Sequence, residues 1–389
     1  MNPVIRNAVV ISGLFLTVNM GLGSFLAFFN LHLENIEFTG TQIGIINGIY
    51  WSTIIFSVPF WGLLADRFGT SRILFFVLIG SILLIFCLGF MQAFPVVVIY
   101  CIFLTIFLHP TGSLTDSLAV YHVRNTKHSS FGKLRMWGAI GWALATIVVG
   151  FLALQHSLII FWAASFFLFL MLLILLFYKK ENKSDPQEKV NLSSLQQILS
   201  SRPVLYFMLL LFLIGFTVSP MNIILNLYYS EIGGDSSIVG LAFAVQSMTE
   251  IPFFFMGFYI VKRIGKERTL MLTIVVMAIR LLLYGCTGNP TYAIMIGALH
   301  GITFSLFLVS IIEIVHDQVP AHLRATGQGL IWAFYFGAGQ TAGTIITGFL
   351  KDTVGMQATL KLAAISVGVI LIVTALYFRY VKRNHIISN

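Results

Sequence analysis

The chain has 389 residues, of which 58% are apolar and 10% charged, and its mean hydropathy is +0.93. Soluble domains carry roughly 25% charged residues, so this composition excludes a water-soluble fold and predicts a chain that faces lipid or other membrane helices. The net charge of +9 does not point to nucleic acid, because all Lys and Arg except Arg280, Lys351 and Lys361 fall at the N-terminus, in the even-numbered loops or at the C-terminus.

A bilayer crossing takes roughly 20 apolar residues. Twelve such segments follow one another, near residues 8–30, 42–64, 72–91, 95–122, 136–154, 156–178, 203–229, 236–261, 269–287, 290–316, 325–349 and 358–380. They run without strict apolar–polar alternation, which predicts helices and not a β-barrel. The expected fold is therefore all-α and integral to the membrane. The first segment follows Arg6 and is too long for a signal peptide, so it is expected to remain as a span. Basic loops on one side only form the positive-inside pattern. It predicts a multi-pass protein of the cell (plasma or inner) membrane with both termini in the cytoplasm. Cys87, Cys101 and Cys286 lie in apolar segments without paired or metal-ligand spacing, so neither a disulfide framework, a metal nor a cofactor is expected.

Taken in order, the spans carry few polar side chains. Spans 1 and 2 contain Asn19 and Asn47. The loop after span 2 reads Asp66-Arg67-Phe68-Gly69-Thr70-Ser71-Arg72. Span 4 contributes His109, Pro110, Thr115 and Asp116; the seven-residue spacing of His109 and Asp116 puts them on one helical face. Span 5 opens with Arg135 and carries Trp142. A guanidinium fork suits vicinal hydroxyls or a carboxylate, and an indole face suits a sugar's C–H surface or an aromatic ring.

Residues 179–202 break the apolar pattern with Lys179, Lys180, Glu181, Lys183, Asp185 and further charges, and read as a hydrated cytoplasmic linker. Six spans lie on each side. This predicts an N-terminal six-helix bundle over 1–178 and a C-terminal one over 203–389, as two pseudo-symmetric halves. An internal repeat supports the division: Lys262-Arg263-Ile264-Gly265-Lys266-Glu267-Arg268 follows the Asp66 loop by 196 residues. Two repeated halves suit alternating access by rocking, and suit a channel less well.

The second half holds the costly groups. Asn222 and Asn226 lie one turn apart in span 7, and Gln246 and Glu250 in span 8. Arg280 sits within span 9 and His300 within span 10. An ionised side chain near the bilayer centre is unfavourable by about 2.5–3.5 kcal/mol, so such groups face each other or a wet cavity. Glu250, Arg280 and His300 are thus candidates for proton coupling. Burial would strengthen the hold of Glu250 on a proton, and the approach of Arg280 would weaken it. His300 is read either as a relay or as a neutral packing histidine. Gln328 and Gln340 of span 11 either line a cavity or join helices.

Gly62-Leu63-Leu64-Ala65-Asp66-Arg67-Phe68-Gly69 with the later Arg72 resembles the loop 2–3 signature of the major facilitator superfamily. The resemblance extends over the whole chain through span count, linker and repeat. It implies a conformational latch of Gly62, Asp66, Arg67, Gly69 and Arg72, with a carboxylate set against a positive helix N-terminus at the start of span 11. The stretch from Phe131 to Leu144, with Gly132, Arg135, Met136, Gly138, Gly141 and Trp142, is similar to the lactose permease group of oligosaccharide–proton symporters.

That likeness implies sugar contacts for Arg135 and Trp142, an acid partner for Arg135 that falls to Asp116 one residue out of register, and a proton-coupling pair in Arg280 and His300. Two departures stand out. The group's acid three residues beyond the histidine is Thr303 here, and Glu250-Ile251-Pro252 instead resembles the phenylpropionate permease and nucleoside–proton symporter side of the group. The expected function is proton-coupled symport (uptake) of a small polar organic solute, with sugars ahead. Nucleoside or aromatic-acid symport and drug-type antiport are the alternatives. Asp116, Arg135, Trp142, Asn222, Asn226 and Gln246 are expected at the substrate. Neither nucleic-acid binding nor enzymatic catalysis is expected, and a monomer in the lipid bilayer would suffice.

Overall fold

The computed structural model describes residues 3–124, 126, 131–178, 200–222, 224–320 and 323–387. Most of the expected linker, the segment 179–199, lies outside the described residues, as do the side chains of Asn222 and Arg324. Among the described residues no strand forms. The chain runs through α1 (Pro3–Leu26) with a short continuation α2 (Phe29–Asn35), α3 (Gly40–Phe68), α4 (Thr70–Leu88), α5 (Phe94–Arg124), α6 (Phe131–Ala153) and α7 (Ile159–Leu175). Beyond residue 199 come α8 (Arg202–Asn222) with α9 (Leu225–Glu231), α10 (Ser236–Ile264) and α11 (Lys266–Cys286). Then α12 (Pro290–Gly297) passes through a π-helix (Gly301–Leu306) into α13 (Phe307–Gln318). Similarly α14 (Arg324–Ile331) passes through a π-helix (Trp332–Gly339) into α15 (Gln340–Val354), and α16 (Met356–Ile387) ends the fold.

Ten of these paths are long and apolar enough to cross a bilayer. The 17 residues of α7 sit at the short limit for a span, and the α14–α15 path is interrupted by its π-helix. With these two, six spans precede residues 179–199 and six follow. Large apolar side chains remain exposed along them, Phe255 at 90% and Ile365 at 66%, which is stable only against lipid.

Interior prolines show how the helices stay satisfied without water. Pro110 lies inside α5 and removes the N–H that would reach Ile106 one turn earlier. That freed carbonyl instead accepts from Ser57 Oγ at 2.8 Å and from Trp61 Nε1 at 2.9 Å, both on α3. Neighbouring side chains thus make an interior proline tolerable in lipid.

The 196-residue repeat is also written in the backbone. Gly69 takes φ +98° and Gly265 φ +95°, a left-handed turn that only glycine adopts without strain. Each N–H donates to the carbonyl four residues back, Ala65 at 2.7 Å and Val261 at 2.8 Å, closing one helix before the next begins.

The helices pack into two compact units. One comprises Met1–Phe38, Thr53–Glu188 and Tyr229–Met248; the other Thr39–Ser52, Lys189–Tyr228 and Thr249–Asn389. In the first, α1 packs along α6 and α7. The start of α10 lies on α6, where a Cβ at Gly240 would collide with the Thr146 carbonyl and Ser236 Oγ donates to Gly150 O at 2.9 Å. In the second, the start of α3 lies on α15. A Cβ at Gly44 would come 2.6 Å from the Thr344 carbonyl, and α11 packs along α16.

Candidate functional site

Arg280, in the second half of α11, is fully buried, and its contacts define a polar cluster of the second unit. Its Nη1 lies 2.9 Å from His300 Nδ1 and donates to Thr303 Oγ1 at 3.0 Å. Its Nη2 donates to Tyr284 Oη at 3.4 Å, and the guanidinium stands 5.5 Å from the centre of the Tyr284 ring. On the other side of the imidazole, His300 Nε2 meets Glu250 Oε1 at 3.1 Å. The His300 ring stacks on Phe304, 5.3 Å between centroids.

Donor and acceptor chemistry fixes the protons. A guanidinium has only donors, so His300 Nδ1 must offer its lone pair to Arg280. The imidazole proton then sits on Nε2 and points at the Glu250 carboxylate. The result is a charge-compensated chain, cation to neutral imidazole to anion. An imidazolium is excluded while Arg280 holds this contact, since it would set two donors against each other.

Local sequence explains why these groups meet. The π-helix begins at Gly301, and its wider turn lets His300 and Thr303 address the same guanidinium; such insertions recur at functional sites. Gly301 is required for the approach of α10. A Cβ there would collide with the Thr249 carbonyl, while its N–H donates to Thr249 Oγ1 at 3.2 Å and Ser305 Oγ reaches Glu250 O at 3.3 Å. Pro252, two residues after Glu250, lies inside α10 at the same level. The sequence suggested direct approach of Glu250 and Arg280; the structure sets His300 between them.

A second polar pair lies in the first unit. Arg135 Nη1 reaches both Asp116 oxygens at 3.2 and 3.3 Å, with side chains 50% and 38% exposed. The one-residue offset therefore does not keep the two apart, because the forked carboxylate and the long arginine stem absorb it. Trp142 is half-buried on α6, with its backbone against Gly23 of α1. Gln246 is buried one turn before Glu250 on α10. Asn226 is buried in α9, its Oδ1 accepting from the Leu227 N–H at 3.0 Å. Asn222 closes α8. Asn19 and Asn47 each donate to their own helix, to Phe15 O and Ile43 O, and Gln328 meets His316 Nε2 at 3.0 Å. Gln340 is buried with neither amide atom bonded among the described residues.

Of the loop signature, Asp66 and Arg67 are exposed at the end of α3. Arg67 lies over the Phe68 ring, Gly69 makes the turn, and Arg72 lies in the first turn of α4, its N–H donating to Gly69 O at 3.1 Å. Gly62 has open space beside it. The expected partner region, residues 321–322 with the Arg324 side chain, lies outside the described residues.

Sequence reasoning missed a contact at the opposite end of α3. Thr39 and Gln42 form a reciprocal capping box, and the next free donors are taken by Asp352 at the end of α15. Its Oδ1 accepts from Gly40 N at 2.7 Å, and its Oδ2 from Thr41 N at 2.7 Å and Thr41 Oγ1 at 2.6 Å. The Thr-x-x-Gln pattern signals the cap, but no spacing signals a carboxylate 311 residues away. Tyr284 and Thr303 were equally hidden as Arg280 partners, although Tyr284 lies one turn on.

Comparison with known proteins agrees with this architecture. A family model described as the MFS_1 like family matches residues 9–362. The maltose permease of Geobacillus stearothermophilus is 24% identical over 82% of this chain and 81% of its own. A putative nucleoside transporter of Escherichia coli, YegT, is 25% identical over 83% of this chain and 79% of its own. Among solved structures, that of the nucleoside transporter NupG superposes with a TM-score of 0.86 at 18% identity, covering 98% of this chain and 100% of that one.

Proposed function

The chain belongs to the MFS_1-like family and is a multi-pass membrane transporter, and from that premise we propose proton-coupled uptake of a small polar organic solute by alternating access, with sugars ahead of nucleosides and aromatic acids. The observation that carries this reading is the Arg280–His300–Glu250 chain within the spans. Groups this costly in a bilayer are retained where their charge state does work.

The proton enters at Glu250. With His300 Nδ1 committed to Arg280, the remaining basic atom of the chain is a Glu250 carboxylate oxygen. Protonation there removes the anionic end, leaves the Arg280 charge uncompensated and favours its movement to another acceptor. Movement of Arg280 in turn frees His300 Nδ1, so proton occupancy and helix position become linked. A proton crossing with the field contributes about 2.3 kcal/mol per 100 mV, which supports roughly 50-fold accumulation of a neutral solute.

Asp116, Arg135, Trp142, Asn222, Asn226 and Gln246 are proposed to bind the solute. Half-exposed Arg135 exchanges an Asp116 oxygen for substrate hydroxyls, and Trp142 stacks on a ring face. The positive-inside pattern supports a cytoplasmic location for both termini and, with them, for the proposed Asp66–Arg72 latch. We read the α3–α15 contact, at the opposite end of α3 from the latch, as one that loosens during the transport cycle, and a single chain as sufficient. The maltose permease relative favours sugar as cargo. Nucleoside is the second reading, supported by Glu250-Ile251-Pro252 and by the nucleoside transporter relative.

Uptake by purified protein in vesicles with an imposed proton gradient, against a panel of sugars, nucleosides and aryl acids, tests the reading. One class should accumulate and collapse the gradient. Glu250→Gln should abolish accumulation yet retain solute exchange; undiminished accumulation refutes the proton assignment. Proton flux driven only by apolar cations would instead identify a drug-type antiporter.

A further inference from the structure

The outer faces of α8 and α16 form a groove of about 360 Å³, within the size range of small-molecule sites. Its walls are Tyr206, Leu209 and Leu213 of α8 and Val373, Leu376 and Tyr380 of α16, each more than a third exposed. In α8 these recur every three or four residues, and in α16 the same spacing holds, so each helix offers one continuous stripe. The groove is open at its side, where a spanning protein meets lipid chains.

Its chemistry changes at one end. Tyr206 and Tyr380 meet edge to face, 5.8 Å between centroids, the usual residue type for the boundary between acyl chains and headgroups. At this end stand Arg202, one turn before Tyr206, and Arg379, beside Tyr380, both exposed. A hydrogen bond from Tyr377 Oη to Pro203 O at 3.2 Å and stacking of Phe207 on Tyr377 at 5.7 Å lock the helices in register. The two arginines are therefore held at the same end of the groove. Arg202 is also the first residue of α8, whose unpaired N–H end adds positive potential. Lys382 and Arg383 follow in the sequence.

We propose that this groove binds one anionic phospholipid, its acyl chain along Leu209, Leu213, Val373 and Leu376 and its phosphate between Arg202 and Arg379. Apolar walls alone would take any lipid; the paired cations at the tyrosine end select a negative headgroup. Arginine forks grip phosphate oxygens in pairs, and each exposed cation near a membrane surface contributes about five-fold to anionic-lipid binding. The inference rests on membrane embedding and not on the transport reading, so the two stand or fall separately.

Native mass spectrometry and thermal unfolding of the detergent-purified protein, titrated with phosphatidylglycerol or with phosphatidylcholine of the same chains, test it. The protein should retain one phosphatidylglycerol and be stabilised saturably by it, with little response to phosphatidylcholine. Arg202→Gln with Arg379→Gln should weaken phosphatidylglycerol roughly 30-fold, from the same per-cation factor, and leave the phosphatidylcholine response unchanged. Leu209→Trp, which fills the groove from an exposed position, should displace the retained lipid with both arginines present. Equal stabilisation by both lipids, wild-type affinity in the double variant, or full stabilisation by soluble glycerol phosphate would each overturn the proposal.

Discussion

Asp352→Ala should loosen the contact between the start of α3 and the end of α15 by a predictable amount. The substitution leaves three donors, the Gly40 and Thr41 N–H groups and the Thr41 hydroxyl, without their acceptor. A hydrogen bond to a charged group contributes about 1.5–3 kcal/mol, but this carboxylate is exposed and water replaces part of what is lost. A total near 2 kcal/mol follows, which is about 30-fold in the closed-to-open ratio. Thr344 is fully buried against Gly44, so Thr344→Cys in a Cys286→Ser background reports opening through its rate of alkylation by a membrane-impermeant maleimide. The rate should rise about 30-fold with Asp352→Ala, and by less with Asp352→Asn, which keeps an acceptor oxygen. Burial pushes the Asp352 carboxyl up, but the bonds from Thr41 and Gly40 and the charge of Lys351 outweigh it and hold it below the usual carboxylate value. A depressed value in the closed state means that the stabilisation is complete above the open-state value, about 3.9, and is lost only as pH falls through the depressed one. Because only the thiolate reacts, the rate is taken relative to that of a freely exposed cysteine at the same pH, and this ratio should be flat from pH 5 to 8 and rise in stronger acid. An unchanged rate in Asp352→Ala, or a rise centred near neutrality, would refute the reasoning.

Gly301→Ala should force α10 away from the π-helix, because the new methyl meets the Thr249 carbonyl; overpacking of this kind costs about 1–3 kcal/mol. Thermal unfolding should show the loss, and coupled uptake should fall more than solute exchange because Glu250 and His300 separate. Ser57→Ala combined with Trp61→Phe should leave Ile106 O unsatisfied and cost about 1–3 kcal/mol, while either single change costs less than half of that, since one donor remains; equal effects of single and double variants would contradict the sharing. Trp142→Phe should weaken sugar binding several-fold in equilibrium dialysis and spare nucleoside binding, so indifference to sugar would favour the nucleoside reading.

The spans were legible because lipid imposes a simple rule, and a run of apolar residues either reaches across or does not. Span 11 is the instructive case. Its apolar run announces one helix over 325–349, whereas the structure inserts a π-helix at Trp332–Gly339, a choice set by packing of Gly339 against Phe212 O of α8 that no local propensity records. The site was half legible for a related reason. Rarity marks Glu250, Arg280 and His300, because an ionisable group in a span stands out against its neighbours. Order does not: whether His300 lies beside or between the other two depends on the π-turn that follows it, that is, on Gly301 and the close passage of α10. The Asp352 contact was illegible because an exposed acid at a helix end is common, and only the fold brings it to the free N–H groups of Gly40 and Thr41.

Repetition and asymmetry divide the labour in this chain. Gly44 and Gly240 are 196 residues apart, as are Gly69 and Gly265, and within each pair the two members do the same job, close helix contact in one and a left-handed turn in the other. At the same spacing Glu250 falls on Ile54 and Arg280 on Leu84. Duplication therefore preserved the elements that let helices pack closely and reverse direction, since a Cβ at those glycines meets backbone or strains it. The Arg280–His300–Glu250 chain, by contrast, has no counterpart at that spacing in the first copy. A second buried triad would add its own desolvation penalty without adding a second solute to drive. If this division is correct, placing an acid in the silent copy by Ile54→Glu should destabilise the protein and leave the Glu250→Gln defect uncorrected.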